Sequence, residues 1–211
     1  MKIKICGMKI PENIQAVSAL KPDYMGFIFF HGSKRHVGDR FSGKTVESIP
    51  KEIKKVGVFV NESLAEVLDK QAEFGFDFIQ LHGNESPEYC QQLSQERLQL
   101  IKAFNLHDNF DFSELEAYQP YCQYFLFDSQ TAFYGGSGKS FNWQVLSKYR
   151  LKTPFFLSGG LGPENISEAL SINHPMLLGF DLNSKLESEP GLKKIEQTKQ
   201  MIEKIKTHVH L

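Results

Sequence analysis

The sequence contains little cysteine, and the cysteines it has are not spaced as a disulfide framework or a zinc site. Its 211 residues include only Cys6, Cys90 and Cys122, and no two of them form a Cys-x-x-Cys pair. An odd number without paired spacing indicates neither a disulfide framework nor a zinc knuckle. No cluster of His, Cys and carboxylate residues shows metal-ligand spacing, so we expect no metal and a reducing compartment.

Long apolar runs and an excess of charge are also missing. The longest aromatic and aliphatic run, Tyr24 to Phe30, is far shorter than the roughly 20 residues that cross a bilayer. The net charge of -1 offers no concentrated basic surface for nucleic acid or anionic lipid. Met1 to Lys4 leads directly into an alternating segment, without the apolar stretch of a secretory leader. We expect a cytoplasmic protein, one domain over residues 1–211, with no nucleic-acid or membrane partner.

What the sequence does contain is a series of short hydrophobic segments at nearly regular intervals. Several are almost continuously apolar, as expected of strands that are buried on both faces. We predict eight strands, each boundary uncertain by roughly 2–4 residues. They lie at about 2–6, 24–30, 54–60, 77–81, 98–104, 123–128, 154–158 and 177–181.

Segments with helical periodicity alternate with these strands. Pro11 opens one helix, Asn61 precedes another, Ser86 caps a third, and a last helix is predicted from about Leu192. Eight alternations favour a single (β/α)8 TIM barrel of the α/β class. The alternative is an open doubly wound sheet, but Cys6-Gly7-Met8 stands where that fold carries Gly-x-Gly-x-x-Gly.

Two reactive side chains end predicted strands, where barrels of this type carry their chemistry. Cys6 ends the first strand, and a thiol of ordinary pKa about 8.5 can act as a base in electropositive surroundings. The alternative is a small buried hydrophobe, our interpretation of Cys90 and Cys122. Asp128 ends the sixth strand and is placed either as a general acid or as a loop-fixing carboxylate.

The loops after the seventh and eighth strands predict a phosphate site. Gly159-Gly160 follows one strand and Asn183-Ser184 follows the other. Glycines let backbone N–H groups approach an anion, and a helix N-terminus adds a favourable dipole. Simple tight turns are the alternative.

Four more residues are candidates for substrate binding. Arg35 suits a bidentate pair with a carboxylate, or is a solvated loop arginine. Gln80 and His82 close the fourth strand, and His82 is either a base or a hydrogen-bonded residue. Lys139 belongs to a glycine-rich stretch that is not a Walker motif, because Phe133 stands where glycine is required. We interpret that stretch as a loop over the site, with Lys139 as an anion contact.

Together these motifs resemble the phosphoribosylanthranilate isomerase family from the first strand to the last helix. The resemblance rests on Lys4–Gly7, Gly26–Phe29, Val56–Phe59, Gln80–Gly83, Gly135–Lys139 with Phe141 and Trp143, Gly159–Leu161 with Pro163–Asn165, and Asp181–Ser184 with Glu187. It implies an Amadori rearrangement of a phosphosugar-anthranilate in tryptophan biosynthesis, without metal or organic cofactor, by a monomer or homodimer.

The resemblance also implies roles for individual residues. Asp128 would be the general acid and Cys6 the general base, while Arg35 would bind the anthranilate carboxylate. Gly160 and the Asn183-Ser184 loop would bind the phosphate.

Two positions depart from the family pattern. Lys185 replaces a glycine, so it either strains its loop or adds charge to the phosphate site. Lys34 replaces a proline before Arg35, which predicts a less rigid loop. Two other functions are considered: the related isomerase of histidine biosynthesis, against which Cys6 argues, and a catalytically silent phosphosugar-binding barrel.

Overall fold

The architecture is a closed barrel of eight parallel strands. The computed structural model describes residues 1–38, 41–129 and 143–208. Each strand pairs with the next, and the eighth pairs with the first. The strands are β1 (Lys2–Ile5), β2 (Tyr24–Ile28), β3 (Lys54–Phe59), β4 (Phe78–Leu81), β5 (Leu100–Leu106), β6 (Tyr124–Ser129), β7 (Phe155–Ser158) and β8 (Leu177–Leu182). The predicted TIM barrel is confirmed, and the open sheet is wrong.

Helices form an outer layer around this barrel. In the described residues they are α1 (Pro11–Ser18), α2 (Gly43–Glu47), α3 (Leu64–Phe74), α4 (Pro87–Gln95), α5 (Ile166–Leu170) and α6 (Ile195–Thr207), with 3-10 helices at Phe112–Tyr118, Trp143–Lys148 and Ser184–Leu186. In the part of the chain that the structure describes, no helix is long and apolar enough to span a membrane.

Two helix starts differ from the predictions. The hydroxyl of Ser63, not Asn61, caps α3 by accepting the N–H of Glu66. The last helix begins at Ile195, because Leu192 and the residue after it form a short strand, β10 (Leu192–Lys193). It pairs antiparallel with β9 (Glu187–Glu189). This hairpin brings Glu187 to the carboxyl end of the barrel.

Side chains of the strands alternate between two apolar layers. Ile3 and Ile5 pack outward under the helices, whereas Lys4 and Cys6 point into the barrel. The interior below Cys6 is filled by Tyr24, Val56, Val58, Phe78, Ile101, Ala103, Leu126 and Phe156. Because this packing closes the lower barrel, polar groups collect at the carboxyl ends of the strands.

Candidate active site

Cys6 lies at the carboxyl end of β1, with only 4% of its surface exposed. Its N–H donates to the carbonyl of Leu182 over 2.9 Å, so the pairing of β1 with β8 fixes its backbone. Gly7 follows with φ of 75°, and a Cβ there would lie 2.7 Å from Asn183 Oδ1 and 2.8 Å from Arg35 Cδ. Glycine is therefore required both by the backbone and by the space.

Charged groups surround the Cys6 sulfur. The ammonium of Lys4 lies 2.9 Å from Asp181 Oδ2, and both side chains are buried. Burial raises the pKa of the Cys6 thiol, and the carboxylate of Asp181 acts in the same direction, while Lys4 and Lys193 lower it. The expected electropositive groups are present, but burial has the larger effect on the pKa of Cys6. The neutral thiol is favoured at neutral pH.

Asp128 lies at the carboxyl end of β6, three strands from β1 around the barrel, and 27% of its side chain is exposed. Nε2 of His82 lies 3.3 Å from Asp128 Oδ2. On the other side of the ring, Nδ1 lies 2.8 Å from the amide nitrogen of buried Gln80. In this amide orientation Gln80 donates to Nδ1, which leaves the imidazole proton on Nε2, facing Asp128. The geometry favours the hydrogen-bonded interpretation of His82.

Asp181, at the end of β8, lies between these two halves of the site. One oxygen accepts a hydrogen bond from Lys4, while Oδ1 is buried without a hydrogen-bond partner among the described residues. Its carboxylate interacts electrostatically with Cys6, His82 and Asp128. Burial raises the pKa of Asp181, although Lys4 opposes the shift. Sequence reasoning assigned Asp181 no role, but its position at a strand end was the available signal.

Arg35 is fixed by an ion-pair network. Its Nε and Nη2 donate to both carboxylate oxygens of Glu187 over 2.7 to 3.0 Å. The buried ammonium of Lys193 lies 2.6 Å from the same carboxylate and donates to Asn183 Oδ1 over 2.7 Å. Burial alone would raise the pKa of Glu187, but Arg35 and Lys193 lower it overall. Arg35 is therefore a positioned cation, and sequence reasoning missed the roles of Glu187 and Lys193.

The loop after β7 has the backbone expected of an anion-binding turn. Gly159 and Gly160 have φ of 101° and 61°, in the left-handed region. Asn165 closes the loop, because its amide nitrogen donates to the carbonyl of Gly160 and its Oδ1 accepts the N–H of Gly162. Ser184, at the start of the 3-10 helix after β8, is exposed. Lys139 lies outside the described residues.

The loops after β7 and β8 adjoin, and Lys185 lies where they meet. A Cβ on Gly162 would lie 2.8 Å from Lys185 Cβ. Lys185 is not among the residues with positive φ, and its ammonium lies 3.0 Å from Glu164. The strain alternative is therefore wrong, and the charge is paired at the surface. At the other departure, the ammonium of Lys9 donates to the carbonyl of Lys34 and ties the loop that carries Arg35.

Known proteins are similar to this chain in sequence and in fold. The family model described as N-(5'phosphoribosyl)anthranilate (PRA) isomerase matches residues 3–204. The chain is 46% identical over 210 residues to the N-(5'-phosphoribosyl)anthranilate isomerase of Phocaeicola vulgatus, covering 96% of this chain and 100% of that one. The phosphoribosyl anthranilate isomerase of Thermus thermophilus superimposes with a TM-score of 0.84 at 28% identity, covering 98% and 99% of the two chains. A phosphoribosyl anthranilate isomerase in complex with reduced 1-(o-carboxyphenylamino)-1-deoxyribulose 5-phosphate superimposes with a TM-score of 0.79 at 28% identity, covering 99% and 100%.

Proposed function

Because the chain belongs to the N-(5'-phosphoribosyl)anthranilate isomerase family, we propose that Cys6 and Asp128 transfer the protons of this isomerisation. The protein is an isomerase of tryptophan biosynthesis. The proposed reaction converts N-(5-phosphoribosyl)anthranilate to 1-(2-carboxyphenylamino)-1-deoxyribulose 5-phosphate, the third step of the tryptophan branch from chorismate. The observation that carries the residue roles is the buried Asp181, whose carboxylate interacts with both Cys6 and Asp128.

Substrate binding uses two parts of the mouth of the barrel: the cation of Arg35 and the loops after β7 and β8. The guanidinium of Arg35 has five N–H donors. Glu187 accepts the one on Nε and one of the two on Nη2, so the two donors on Nη1 are directed to the anthranilate carboxylate. The phosphate lies on the loops of Gly159-Gly160 and Asn183-Ser184, which adjoin at the carboxyl end of the barrel. Lys139 is proposed as a further anion contact.

The reaction opens with proton donation by Asp128. Its carboxylic acid protonates the furanose ring oxygen, the bond from that oxygen to C1 breaks, and the nitrogen lone pair forms an iminium at C1. His82 and Gln80 hold the carboxyl group toward the mouth. The positive charge on nitrogen then acidifies the C2 proton, since the cation accepts the electron pair that this proton leaves behind.

Cys6 completes the rearrangement. Its thiolate takes the C2 proton, which gives an enolamine, and tautomerisation places a proton on C1 and leaves the ketone at C2. The ring oxygen and C1 each gain a proton, while C2 and its hydroxyl each lose one, and the hydroxyl proton restores the acid form of Asp128. The steps therefore balance without an oxidant or reductant. Burial raises the pKa of Cys6, and the positive charge of the iminium beside the sulfur favours the thiolate at the step that requires it. General acid-base steps of this kind each supply about 10²–10⁴-fold.

The test is turnover of freshly prepared phosphoribosylanthranilate by the purified protein and two variants. Asp128→Asn and Cys6→Ser are expected to lower kcat by several orders of magnitude, because each removes one proton-transfer group. Cys90→Ser is the matched control, since Cys90 is buried in α4 and away from the strand ends. Unchanged turnover in either active-site variant would contradict its assigned role. Tight binding without turnover in the wild type would indicate a silent phosphosugar-binding barrel instead.

A further inference from the structure

We propose that Lys4 is a positioning residue that supplies the counter-charge for the Cys6 thiolate, with Asp181 anchoring the Lys4 ammonium. The inference deepens the proposed function and rests on Cys6 acting as the base. Lys4 is buried at the centre of the barrel, and the proton transfers proposed for Cys6 and Asp128 give it no role.

Lys4 and Cys6 share one small volume inside the barrel. They lie two residues apart on β1, so both side chains point to the interior. A Cβ on Gly26 of the neighbouring strand would lie 2.7 Å from Cys6 Sγ and 3.1 Å from Lys4 Nζ. The sum of these distances, 5.8 Å, is an upper limit on the separation of sulfur and ammonium. The absence of a side chain at Gly26 leaves the space in which the two groups meet.

A second buried lysine shows what a structural role looks like in this barrel. Lys102 on β5 pairs with Glu85, and its ammonium also donates to the carbonyls of Leu81, Gly83 and Ala103. Lys102 thereby ties backbone segments together.

The ammonium of Lys4 has a different set of partners. Among the described residues it donates to the carboxylate of Asp181 and interacts electrostatically with the sulfur of Cys6. Both partners are side chains at the mouth of the barrel, not backbone carbonyls. A buried ion pair alone is weak support for a fold, so its position beside the sulfur is better explained by the chemistry of the sulfur.

The charged groups that face Cys6 have opposite effects on its pKa, so different substitutions should shift that pKa in opposite directions. Asp181 on β8 disfavours the thiolate, whereas Lys4 on β1 favours it. Lys193 on β10 also favours it, but its ammonium is engaged by Glu187 and Asn183. His82 and Asp128 face the same centre through Asp181. Removal of Lys4 must therefore raise the pKa of Cys6, and removal of the Asp181 charge must lower it.

The experiment is a spectroscopic titration of the Cys6 thiolate. Its far-ultraviolet absorbance is followed against pH, with the matching Cys6→Ser protein subtracted in each background. Lys4→Met should move the midpoint to higher pH by about one to three pH units, the effect of one opposite charge at close range. Asp181→Asn should move it to lower pH. A purely structural ion pair would not produce shifts of opposite sign.

Two further variants separate the effect on the Cys6 thiolate from a loss of folding. Lys4→Met leaves a buried carboxylate unpaired, whereas the double variant Lys4→Met with Asp181→Asn removes both charges, and its midpoint should still lie above that of the wild type. Lys102→Met removes a buried lysine that does not face Cys6 and should leave the midpoint in place. The proposal is overturned if Lys4→Met and the double variant titrate like the wild type, or if Asp181→Asn shifts the midpoint upward.

Turnover of the same proteins separates this inference from the proposed function. Lys4→Met should lower kcat about as much as it lowers the thiolate fraction, tenfold or more, with KM little changed, because Lys4 does not reach substrate. If Cys6→Ser retains activity while the titration shifts as expected, the base assignment fails and the Lys4 inference stands. If the Cys6→Ser protein is inactive and the titration does not move, the reverse holds.

Discussion

At the scale of single residues, Gly26 is the position where the smallest change should have the largest effect. A methyl group there would lie 2.7 Å from the Cys6 sulfur, closer than van der Waals contact allows. The thiol must move, and a displacement of about 1 Å at a reacting group can cost roughly 100-fold in rate. We expect Gly26→Ala to fold and to lose about that factor in kcat/KM, measured by steady-state turnover.

Gly57 on β3 offers a control for this substitution. A Cβ there would be equally crowded, but against Phe76 and Phe59 in the outer layer. Gly57→Ala should therefore lower the melting temperature without a comparable loss in kcat/KM. Equal losses of kcat/KM in the two variants would show that the effect of Gly26→Ala is not specific to the sulfur.

Some residues of the site could be predicted from the sequence, and others could not. Cys6 and Asp128 were predicted as site residues because each ends a predicted strand, where barrels of this type carry their chemistry. The pair of Lys4 and Asp181 was not, because its members are 177 residues apart and meet only when β8 closes on β1. No local pattern of residues encodes that contact. Lys139 stays a prediction, since it lies outside the described residues.

At the scale of elements, the hairpin of β9 and β10 is a structural support for Arg35. Its residues Glu187 and Lys193 form a buried network with the guanidinium. Glu187→Gln removes the anion between two cations, and breaking a buried pair of this kind costs about 3–5 kcal/mol of stability. We expect a lower free energy of unfolding in urea and a higher KM, because Arg35 loses its fixed orientation. Unchanged stability and KM would contradict the supporting role of the hairpin.

The carboxylate of Glu187 should also make the stability of the protein depend on pH in the acid range. The folded-state pKa of Glu187 is lowered by Arg35 and Lys193 against the effect of burial. A depressed pKa contributes stability above the unfolded value, about 4.3, and this contribution is lost as pH falls through the lower folded value. The difference in melting temperature between wild type and Glu187→Gln should therefore narrow in acid below about pH 4. A constant difference across that range would contradict the assignment.

Elements differed in how well their sequences predicted them. The eight barrel strands were placed within two residues, because they recur at nearly regular intervals and several are almost continuously apolar, as expected of strands buried on both faces. The β9–β10 hairpin was missed because two or three residues of mixed charge show no periodicity, so Leu192 was assigned to the helix that begins at Ile195. Asn61 is a good cap by composition, but its φ of 51° places it in a left-handed turn before Ser63.

At the scale of the whole molecule, barrel closure is what brings distant residues into one site. The lower interior is filled with apolar side chains, and the carboxyl end carries the thiol, the carboxylates and the cations. The TIM barrel and the isomerase family were both predicted from the sequence and are confirmed. The family match also removes the related isomerase of histidine biosynthesis as an alternative. A single domain over residues 1–211, a cytoplasmic location and a monomeric or homodimeric state stay predictions.

The most direct measurement is a crystal structure of this protein with reduced 1-(o-carboxyphenylamino)-1-deoxyribulose 5-phosphate bound. We expect the sugar C2 at about 3–3.5 Å from Cys6 Sγ, within the range of a reacting pair. We also expect the carboxylate on Arg35 and the phosphate on the loops of Gly160 and Ser184. A ligand bound with its phosphate elsewhere, or with C2 turned away from the sulfur, would contradict the proposed roles of these residues.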